Sequence, residues 1–365
     1  MAEIRLENIH KLFGDFVAVD DVSLTINDGQ FFVLLGSSGC GKTTTLRMIA
    51  GLEVPSAGQV LLGGEDVTYR RAAERNIAFV FQMFALYPHM RVGENLGFPL
   101  KTQHKPKAEI KKRVQEVAEL LRIEHLLNHS VGGLAGGDRQ RVALGRAIIR
   151  RPKAFLMDEP MGTLDAEFRE IMRKDLRSLH DRIEATTIYV THDQIEAMAM
   201  GDMIAVMSHG KVLQAAPPME IYNKPNSMFV AEFVGSPAIN FLPFGGALTP
   251  GATRVTVNGT LVDIPKLHEG LNGNGGVLGA RPENIWLADD DGLPGQVFGV
   301  EYMGARKLVT VDTNAGRIRV IAPDSISVAM DDNVKLKFRT ESLVVFDQKS
   351  ERALASDLIK DSHHG

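Results

Sequence analysis

The chain has 365 residues, 44% hydrophobic and 24% charged, which is typical of a globular protein with a sizeable core. Its net charge of −4 argues against a general nucleic-acid-binding protein, and no apolar run approaches the ~20 residues that a membrane-spanning helix needs. The N-terminus lacks the apolar stretch of a signal peptide, and the single cysteine excludes an internal disulfide and suits a reducing cytoplasm.

Residues 3–35 consist of short runs that alternate apolar and polar residues. They predict antiparallel strands leading into a buried strand, with a turn at Asp28-Gly29. Phe13 stands at a predicted strand end, before Gly14. Its ring fits two interpretations equally well, a surface on which a purine stacks and an ordinary hydrophobic residue at a strand end.

Residues 36–43, GSSGCGKT, fit the pattern G-x-x-x-x-G-K-[ST] between the apolar run QFFVLLG and a predicted helix. In this context, backbone N–H groups and the helix dipole form a phosphate site, and glycines permit the close approach of the backbone. We expect Lys42 to reach the outer phosphates and Thr43 to hold Mg²⁺. An ordinary glycine-rich turn is the alternative, which the flanking strand and helix disfavour. The predicted nucleotide-contacting residues here are Gly36, Ser37, Ser38, Gly39, Cys40, Gly41, Lys42, Thr43 and Thr44.

Residues 51–127 combine a Pro/Gly-punctuated hairpin (51–67), a buried strand that ends at Gln82 and a helix (106–127). The segment between strand and helix, residues 83–100, is aromatic and contains proline, and we expect an irregular surface that meets another protein. The helix carries one apolar stripe, which indicates packing of a small helical subdomain; its members are Ile110, Val114, Val117, Leu120 and Leu121.

The run LAGGDRQRVALGRAII predicts a helix that starts after Gly136 and Gly137, with its free N–H groups facing outward. Five arginines follow between residues 139 and 151. They fit either a nucleic-acid surface or, more commonly, a solvated or salt-bridged helix face.

Two carboxylates, Asp158 and Glu159, end the apolar strand AFLMDEP. Such a position lies beside the phosphates in P-loop folds. Asp158 therefore suits Mg²⁺ coordination through water, and Glu159 suits orienting or deprotonating the attacking water. His192 ends a further buried strand, after a long amphipathic helix. A lone histidine is usually structural, but beside these carboxylates it is a candidate for contacting the γ-phosphate.

From about Gly235, helical periodicity gives way to short strands separated by Gly, Pro and Asn, which predict a small β-barrel. We therefore divide the chain into an ATPase domain (1–234) with a helical subdomain (about 84–150), a β-barrel (235–350) and a frayed tail (351–365).

Six motifs occur in an order and at spacings that resemble those of the nucleotide-binding subunits of ABC transporters. They are the P-loop (residues 36–43), Gln82, LAGGDRQR, MDEP, LDA and THD. The segments GSPAINFL and GARPENI resemble the accessory (TOBE, OB-type) barrel of the maltose/glycerol-phosphate importer subfamily. Together the resemblance covers the whole chain. It implies an α/β P-loop ATPase domain, with a RecA-like core, an antiparallel β subdomain and a helical subdomain, followed by an all-β OB-type barrel.

The resemblance also implies that ATP lies between two subunits. One subunit supplies the P-loop, an adenine-stacking ring (Phe13), the Mg²⁺ ligands Thr43, Gln82 and Asp158, and the catalytic residues Glu159 and His192. The other supplies the D-loop residue Asp165 and a signature loop, which comprises Leu134, Ala135, Gly136, Gly137 and Asp138.

This chain has LAGGD where the family pattern is LSGGQ. Alanine lacks a hydroxyl that would donate to the γ-phosphate, and the aspartate places an acid near a polyanion. The adenine-stacking residue, usually tyrosine, is Phe13 here, which keeps the ring.

The main hypothesis is an ATP-hydrolysing subunit of a bacterial ABC importer for a carbohydrate-like solute: a sugar, a polyol or a glycerol phosphate. Implied partners are two transmembrane permease subunits, a periplasmic or extracellular solute-binding protein and a second ATPase subunit, by default an identical one, with no nucleic acid. The implied location is the cytoplasmic face of the inner membrane. The alternatives are an ABC ATPase not coupled to transport and a weakly hydrolysing half of a heteromeric pair.

Overall fold

The computed structural model describes residues 2–83, 85–162, 164–183, 185–273 and 275–359. These residues form two units, 2–218 and 219–359. The division of function at residues 234/235, between ATPase domain and barrel, stays a prediction.

The first unit alternates strands and helices. Its strands are β1 (Ile4–Phe13), β2 (Phe16–Ile26), β3 (Phe31–Gly36), β4 (Ala57–Leu62), β5 (Glu65–Asp66), β6 (Ile77–Val80), β7 (Ala154–Asp158), β8 (Thr186–Thr191), β9 (Met203–Ser208) and β10 (Lys211–Ala216). Its helices are α1 (Lys42–Ala50), α2 (Val92–Thr102), α3 (Lys107–Leu121), α4 (Gly136–Ile148), α5 (Ala166–Ile183) and α6 (Gln194–Met200).

A six-stranded sheet in the order β10-β9-β3-β8-β7-β6 forms the centre of this unit. Strands β9, β3, β8, β7 and β6 are parallel, and β10 pairs antiparallel at one edge. Every residue of β3, β7 and β8 is buried, as expected for parallel strands covered on both faces. The carboxyl ends of these three neighbouring strands carry the P-loop, the two carboxylates and His192.

A second sheet, in the order β2-β1-β4-β5, is antiparallel. Its strands β1 and β2 bury roughly alternate residues. Leu6 of this sheet, Leu34 of the central sheet and Leu46 of α1 share one hydrophobic core. This arrangement confirms the predicted P-loop core with an antiparallel β subdomain.

Helix α2 corrects the prediction of an irregular segment at residues 83–100 for residues 92–100. It begins after Arg91, whose backbone N–H donates to the Glu94 carboxylate at 2.7 Å, and it continues through Pro99. Its face of Val92, Leu96 and Leu100 is at most 5% exposed, so packing outweighs the low helix propensity of proline and glycine. Helix α3 ends at Leu121, six residues before the predicted end, because Arg122 adopts a left-handed conformation.

The second unit is mainly β. Two short helices, α7 (Pro218–Asn223) and α8 (Met228–Phe233), precede its strands. The strands are β11 (Asn240–Phe244), β12 (Arg254–Val257), β13 (Thr260–Asp263), β14 (Gly276–Ala280), β15 (Ile285–Ala288), β16 (Leu293–Tyr302), β17 (Arg306–Thr313), β18 (Gly316–Pro323), β19 (Asn333–Phe338) and β20 (Val344–Asp347). They form sheets in the orders β15-β19-β16-β17-β18, β11-β14-β20 and β12-β13, which confirms the predicted all-β character of this part.

Arg281 joins α7 and α8 to the strands of the second unit. Arg281 is 3% exposed, and its guanidinium donates to the backbone carbonyls of Tyr222, Ala231 and Val234. Residues 351–359 differ from the frayed tail that we expected, because Ala353 is buried and bonds to Asn226. Residues 360–365 lie outside the described residues. Within the described ranges, no helix combines the length and apolar character needed to cross a membrane.

Candidate functional site

The P-loop joins the buried strand β3 to helix α1. Gly41 is the N-cap of α1 with φ +106°, and a Cβ there would lie 2.5 Å from the Ala18 carbonyl oxygen. Only glycine fits this position, because both the backbone conformation and the space exclude a side chain. The outer residues Ser37 and Ser38 are exposed, whereas Cys40 is buried. The Cys40 thiol thus packs beneath the loop, while the loop's outer backbone faces solvent.

Lys42 is a buried cation whose Nζ is held by backbone oxygens. It is 4% exposed and donates to the carbonyls of Gly36 and Ser37, each at 2.8 Å. No carboxylate among the described residues forms an ion pair with it within 4.0 Å. An ammonium in this position, at the start of a helix with no acidic residue in its first turn, fits a bound phosphate chain.

Thr43 and Asp158 place two oxygen atoms that could bind a metal next to each other. The Thr43 hydroxyl donates a hydrogen bond to Asp158 Oδ1 at 2.8 Å. Burial raises the pKa of Asp158 and the Glu159 charge adds to this rise, whereas the hydrogen bond from Thr43 and the charge of Lys42 oppose it. Mg²⁺ prefers oxygen ligands and is commonly held by one or two carboxylates together with substrate phosphates. The pair therefore fits a magnesium ion beside the P-loop.

Glu159 and His192 are also in contact. His192 Nδ1 lies 3.2 Å from Glu159 Oε2, with the histidine side chain 55% exposed and the glutamate 19% exposed. Glu159 has φ +44°, a left-handed conformation that is strained for a non-glycine residue, and its N–H donates to the Val190 carbonyl at 3.1 Å. Strain of this kind is concentrated at functional sites.

Gln82 follows β6 and is exposed. Its Nε2 atom and Glu159 Oε2 lie 3.6 Å and 3.9 Å, respectively, from the position that a Cβ on Gly162 would occupy. The side-chain amide of Gln82 is thus near the carboxylate of Glu159. The structure brings together the P-loop, Gln82, Asp158, Glu159 and His192.

The signature and D-loop residues form a separate group. Exposed Ala135 is the N-cap of α4, and a Cβ on Gly136 would lie 3.1 Å from Leu164 in the D-loop. The Asp165 carboxylate accepts a hydrogen bond from the Phe168 backbone at 3.0 Å. Among the described residues, no hydrogen bond or ion pair joins this group to the P-loop or its carboxylates.

Phe13 ends β1 and is 47% exposed. Lys11 Nζ lies 4.8 Å from the centre of its ring, and the same ammonium pairs with Glu53 at 3.1 Å. A cation over one side of the ring leaves an exposed aromatic surface at the tip of the β1–β2 hairpin.

The arginines of α4 bind within the chain. Arg139 donates to the Gly132 carbonyl, Arg141 pairs with Asp138 and Asp175, and Arg146 donates to the Ala85 carbonyl. These contacts agree with a salt-bridged helix face.

Arg75 is a supporting residue that the sequence did not reveal. It is 2% exposed, and burial lowers the pKa of its guanidinium. It donates to four backbone carbonyls, those of Met48, Ile49, Thr68 and Arg70. Two of them, those of Met48 and Ile49, belong to the last turn of the P-loop helix α1, so Arg75 stabilises its C-terminus.

Two family models match the chain. The ABC transporter model covers residues 19–162, and the TOBE domain model covers residues 278–346.

The chain is also similar to curated proteins along nearly its whole length. It is 44% identical to the osmoprotective compounds uptake ATP-binding protein GgtA of Synechocystis, over 97% of this chain and 100% of that protein. It is 47% identical to the trehalose/maltose import ATP-binding protein MalK of Thermococcus litoralis, over 88% of each chain. The sn-glycerol-3-phosphate import ATP-binding protein UgpC of Ruegeria pomeroyi is 42% identical, over 97% of this chain and 100% of that protein.

Solved structures match part of the chain. CbiO1 of Clostridium perfringens, part of an ABC transporter complex, has a TM-score of 0.56 and 27% identity over 60% of this chain and 89% of that chain. The dimeric bacterial ABC transporter cassette MJ0796 has a TM-score of 0.53 and 31% identity over 59% of this chain and 98% of that chain. The chain therefore belongs to the ATP-binding subunits of ABC importers, and it is an ATP hydrolase that works in solute uptake.

Proposed function

We propose that the chain powers the uptake of a carbohydrate-like solute by hydrolysing ATP at a site built on the P-loop, Asp158, Glu159 and His192. The observation that carries this proposal is the set of contacts from Thr43 to Asp158 and from Glu159 to His192 at adjoining strand ends. These contacts support a single phosphate position that would be shared by the buried Lys42 ammonium, the oxygen ligands Thr43 and Asp158, the Glu159 carboxylate and the His192 imidazole.

The P-loop binds the phosphates of ATP through its backbone N–H groups, and Lys42 moves from its carbonyl partners to the phosphate oxygens. Phe13 stacks on the adenine. Thr43, Asp158 and Gln82 would hold Mg²⁺, which when bound neutralises charge on the phosphate oxygens.

Glu159 orients and deprotonates the attacking water, and His192 donates to the γ-phosphate. Their contact at 3.2 Å keeps the imidazole next to the carboxylate, so the base and the phosphate-contacting group hold a fixed relation. The left-handed backbone at Glu159 is strained for a non-glycine residue, and such strain is common where a side chain has a catalytic role.

A second ATPase subunit completes each site with its Ala135, Gly136, Gly137 and Asp165. The separation of the site residues into two groups supports this arrangement, and so does the dimeric structure of the MJ0796 cassette. Two permease subunits and a solute-binding protein complete the importer, and this chain works at the cytoplasmic face of the bacterial inner membrane. The names of GgtA, MalK and UgpC support a sugar, polyol or glycerol phosphate as the solute.

Replacing Glu159 with glutamine tests the site. We expect Glu159→Gln to bind MgATP and form a closed dimer, while phosphate release falls about 100-fold or more because the base is lost. The matched control is Glu170→Gln, an exposed carboxylate on α5 that pairs with Lys174, which should keep normal turnover. Near-normal hydrolysis by Glu159→Gln would contradict the assignment of the base.

Uptake measurements test the solute class. In cells that lack this chain, uptake of labelled trehalose, maltose and sn-glycerol 3-phosphate is compared with that of the parent. Loss of at least one activity, restored by the chain but not by Glu159→Gln, is expected. Unchanged uptake of all three would contradict the proposed class.

A further inference from the structure

A buried carboxylate, Glu196, lies four residues after His192 in helix α6. It is 4% exposed, and its Oε2 accepts hydrogen bonds from the Tyr189 hydroxyl at 2.8 Å and the Thr191 hydroxyl at 2.7 Å. Burial raises the pKa of Glu196, while these hydrogen bonds lower it. A carboxylate in such a place is costly unless its hydrogen bonds compensate, so the position has a reason beyond filling space.

Hydrogen bonds hold the chain on both sides of His192. Thr191, directly before the histidine, also accepts a hydrogen bond from the Asp193 backbone N–H at 3.0 Å. Asp193, directly after it, accepts from the Ile195 and Glu196 backbone N–H groups at 2.7 and 3.3 Å. The backbone on each side of His192 is therefore tied to the start of α6.

His192 itself has few constraints on its side chain. It is 55% exposed, and the ion-pair contact with Glu159 is its only side-chain partner among the described residues. Its orientation therefore depends on the backbone that Thr191 and Asp193 hold. A displacement of about 1 Å can slow a reaction about 100-fold. Loss of the buried hydrogen bonds between Glu196 and Thr191 could therefore lower turnover by displacing His192.

We propose that Glu196 is a positioning residue, which holds the Thr191 hydroxyl and so keeps His192 beside Glu159 and the γ-phosphate. This inference rests on the proposed role of His192. Glu196 touches no nucleotide in this proposal and acts through the histidine alone.

Double-mutant analysis of the full-length chain tests the proposal. We expect Glu196→Ala to lower kcat about 10- to 100-fold with the KM for ATP within about twofold, because the ground-state phosphate contacts remain. In a His192→Ala background, adding Glu196→Ala should change kcat less than about twofold, since the histidine through which it acts is gone. Glu196→Gln keeps an oxygen acceptor for both hydroxyls and should recover most of the lost kcat.

Control variants separate positioning from folding. Thermal melting shows whether Glu196→Ala folds. If this variant does not fold, Thr191→Val tests the proposal instead, because it removes only the hydroxyl that links Glu196 to Asp193. The effect of Thr191→Val on kcat should likewise vanish in the His192→Ala background. Tyr189→Phe removes one donor but leaves the Thr191 bond, and a smaller loss is expected.

Three results would overturn the proposal: unchanged kcat in folded Glu196→Ala, equal losses in the presence and absence of His192, or failure of Glu196→Gln to recover activity. A normal kcat in His192→Ala would overturn the role of His192 as well. If His192→Ala is slow and folded Glu196→Ala is normal, only the positioning role of Glu196 fails.

Discussion

Replacing Ala135 with serine should change both the stability and the turnover of this protein. Ala135 is the N-cap of α4, with φ −62° and ψ 160°, and its side chain makes no capping hydrogen bond. Serine in this conformation accepts a hydrogen bond from the N–H groups of the first turn, which alanine leaves without a side-chain partner. The expected gain in the free energy of unfolding is about 1 kcal/mol.

The second effect arises only in the ATP-bound dimer. The serine hydroxyl would donate to the γ-phosphate held by the other subunit, and a hydrogen bond to a charged group contributes roughly 1.5–3 kcal/mol. If this contact forms in the transition state, turnover rises about 10- to 100-fold. The alternative is that the Gly136 and Gly137 amides at the start of α4 hold the phosphate well enough alone.

Ala135→Gly is the matched control. Glycine is nearly as favourable as serine at an N-cap, but it has no hydroxyl. Both variants should raise the melting temperature by about 2–4 °C, as expected for a gain of ~1 kcal/mol in a unit of this size. Phosphate release should increase for Ala135→Ser alone.

Unchanged turnover in a stabilised Ala135→Ser variant would refute the phosphate contact. The same experiment bears on assembly, because both sites of a homodimer carry Ala135, whereas a partner with LSGGQ would supply its own serine to one site. We therefore propose counting the ATPase subunits of the native transporter. If the native transporter holds two copies of this chain and Ala135→Ser leaves turnover unchanged, the protein has no functional need for a different ATPase subunit that carries LSGGQ.

Two further predictions concern supporting structure. Arg75→Met should lower the free energy of unfolding by about 3–5 kcal/mol, because four carbonyls lose a buried charged donor; urea unfolding of the first unit measures this, and a loss below about 1 kcal/mol would contradict the capping role. A chain that ends at Pro218 should fold and bind ATP. A chain that ends at Val234 should be less soluble than this shorter chain, because it keeps α8 but lacks Arg281, which donates to the carbonyls of Ala231 and Val234. Equal solubility of the two truncated chains, or failure of the shorter one to bind ATP, would count against a division of the chain between residues 218 and 219.

The sequence predicted the elements whose signals are local. Strand β3, helix α4 and the strand that ends in Asp158 each combine a turn or loop pattern with an apolar or amphipathic run, although α4 starts at Gly136, two residues before the predicted start. Because parallel strands end at one edge of a sheet, the same patterns also predicted which carboxylates lie near the P-loop.

The missed residues act over long sequence distances. Arg75 caps a helix that ends 25 residues earlier, and nothing in the surrounding sequence marks it as buried. Glu196 has a misleading local signal, since Asp193 followed three residues later by glutamate reads as a capping box. In the structure its side chain instead binds Tyr189 and Thr191, an outcome decided by the packing of β8 against α6.

The signature loop differs from LSGGQ at Ala135 and Asp138, and the structure indicates that these two differences should affect turnover unequally. Asp138 lies in the first turn of α4, where a negative charge is favourable to the helix dipole. Its carboxylate also lies 3.5 Å from Arg141, whose guanidinium pairs with Asp175 at 3.0 Å. A nearby cation therefore offsets part of the repulsion that Asp138 would exert on a phosphate. Ala135 has no such compensation, because a missing hydroxyl cannot be replaced by a neighbour's charge, so the substitution at Ala135 is the one expected to change turnover.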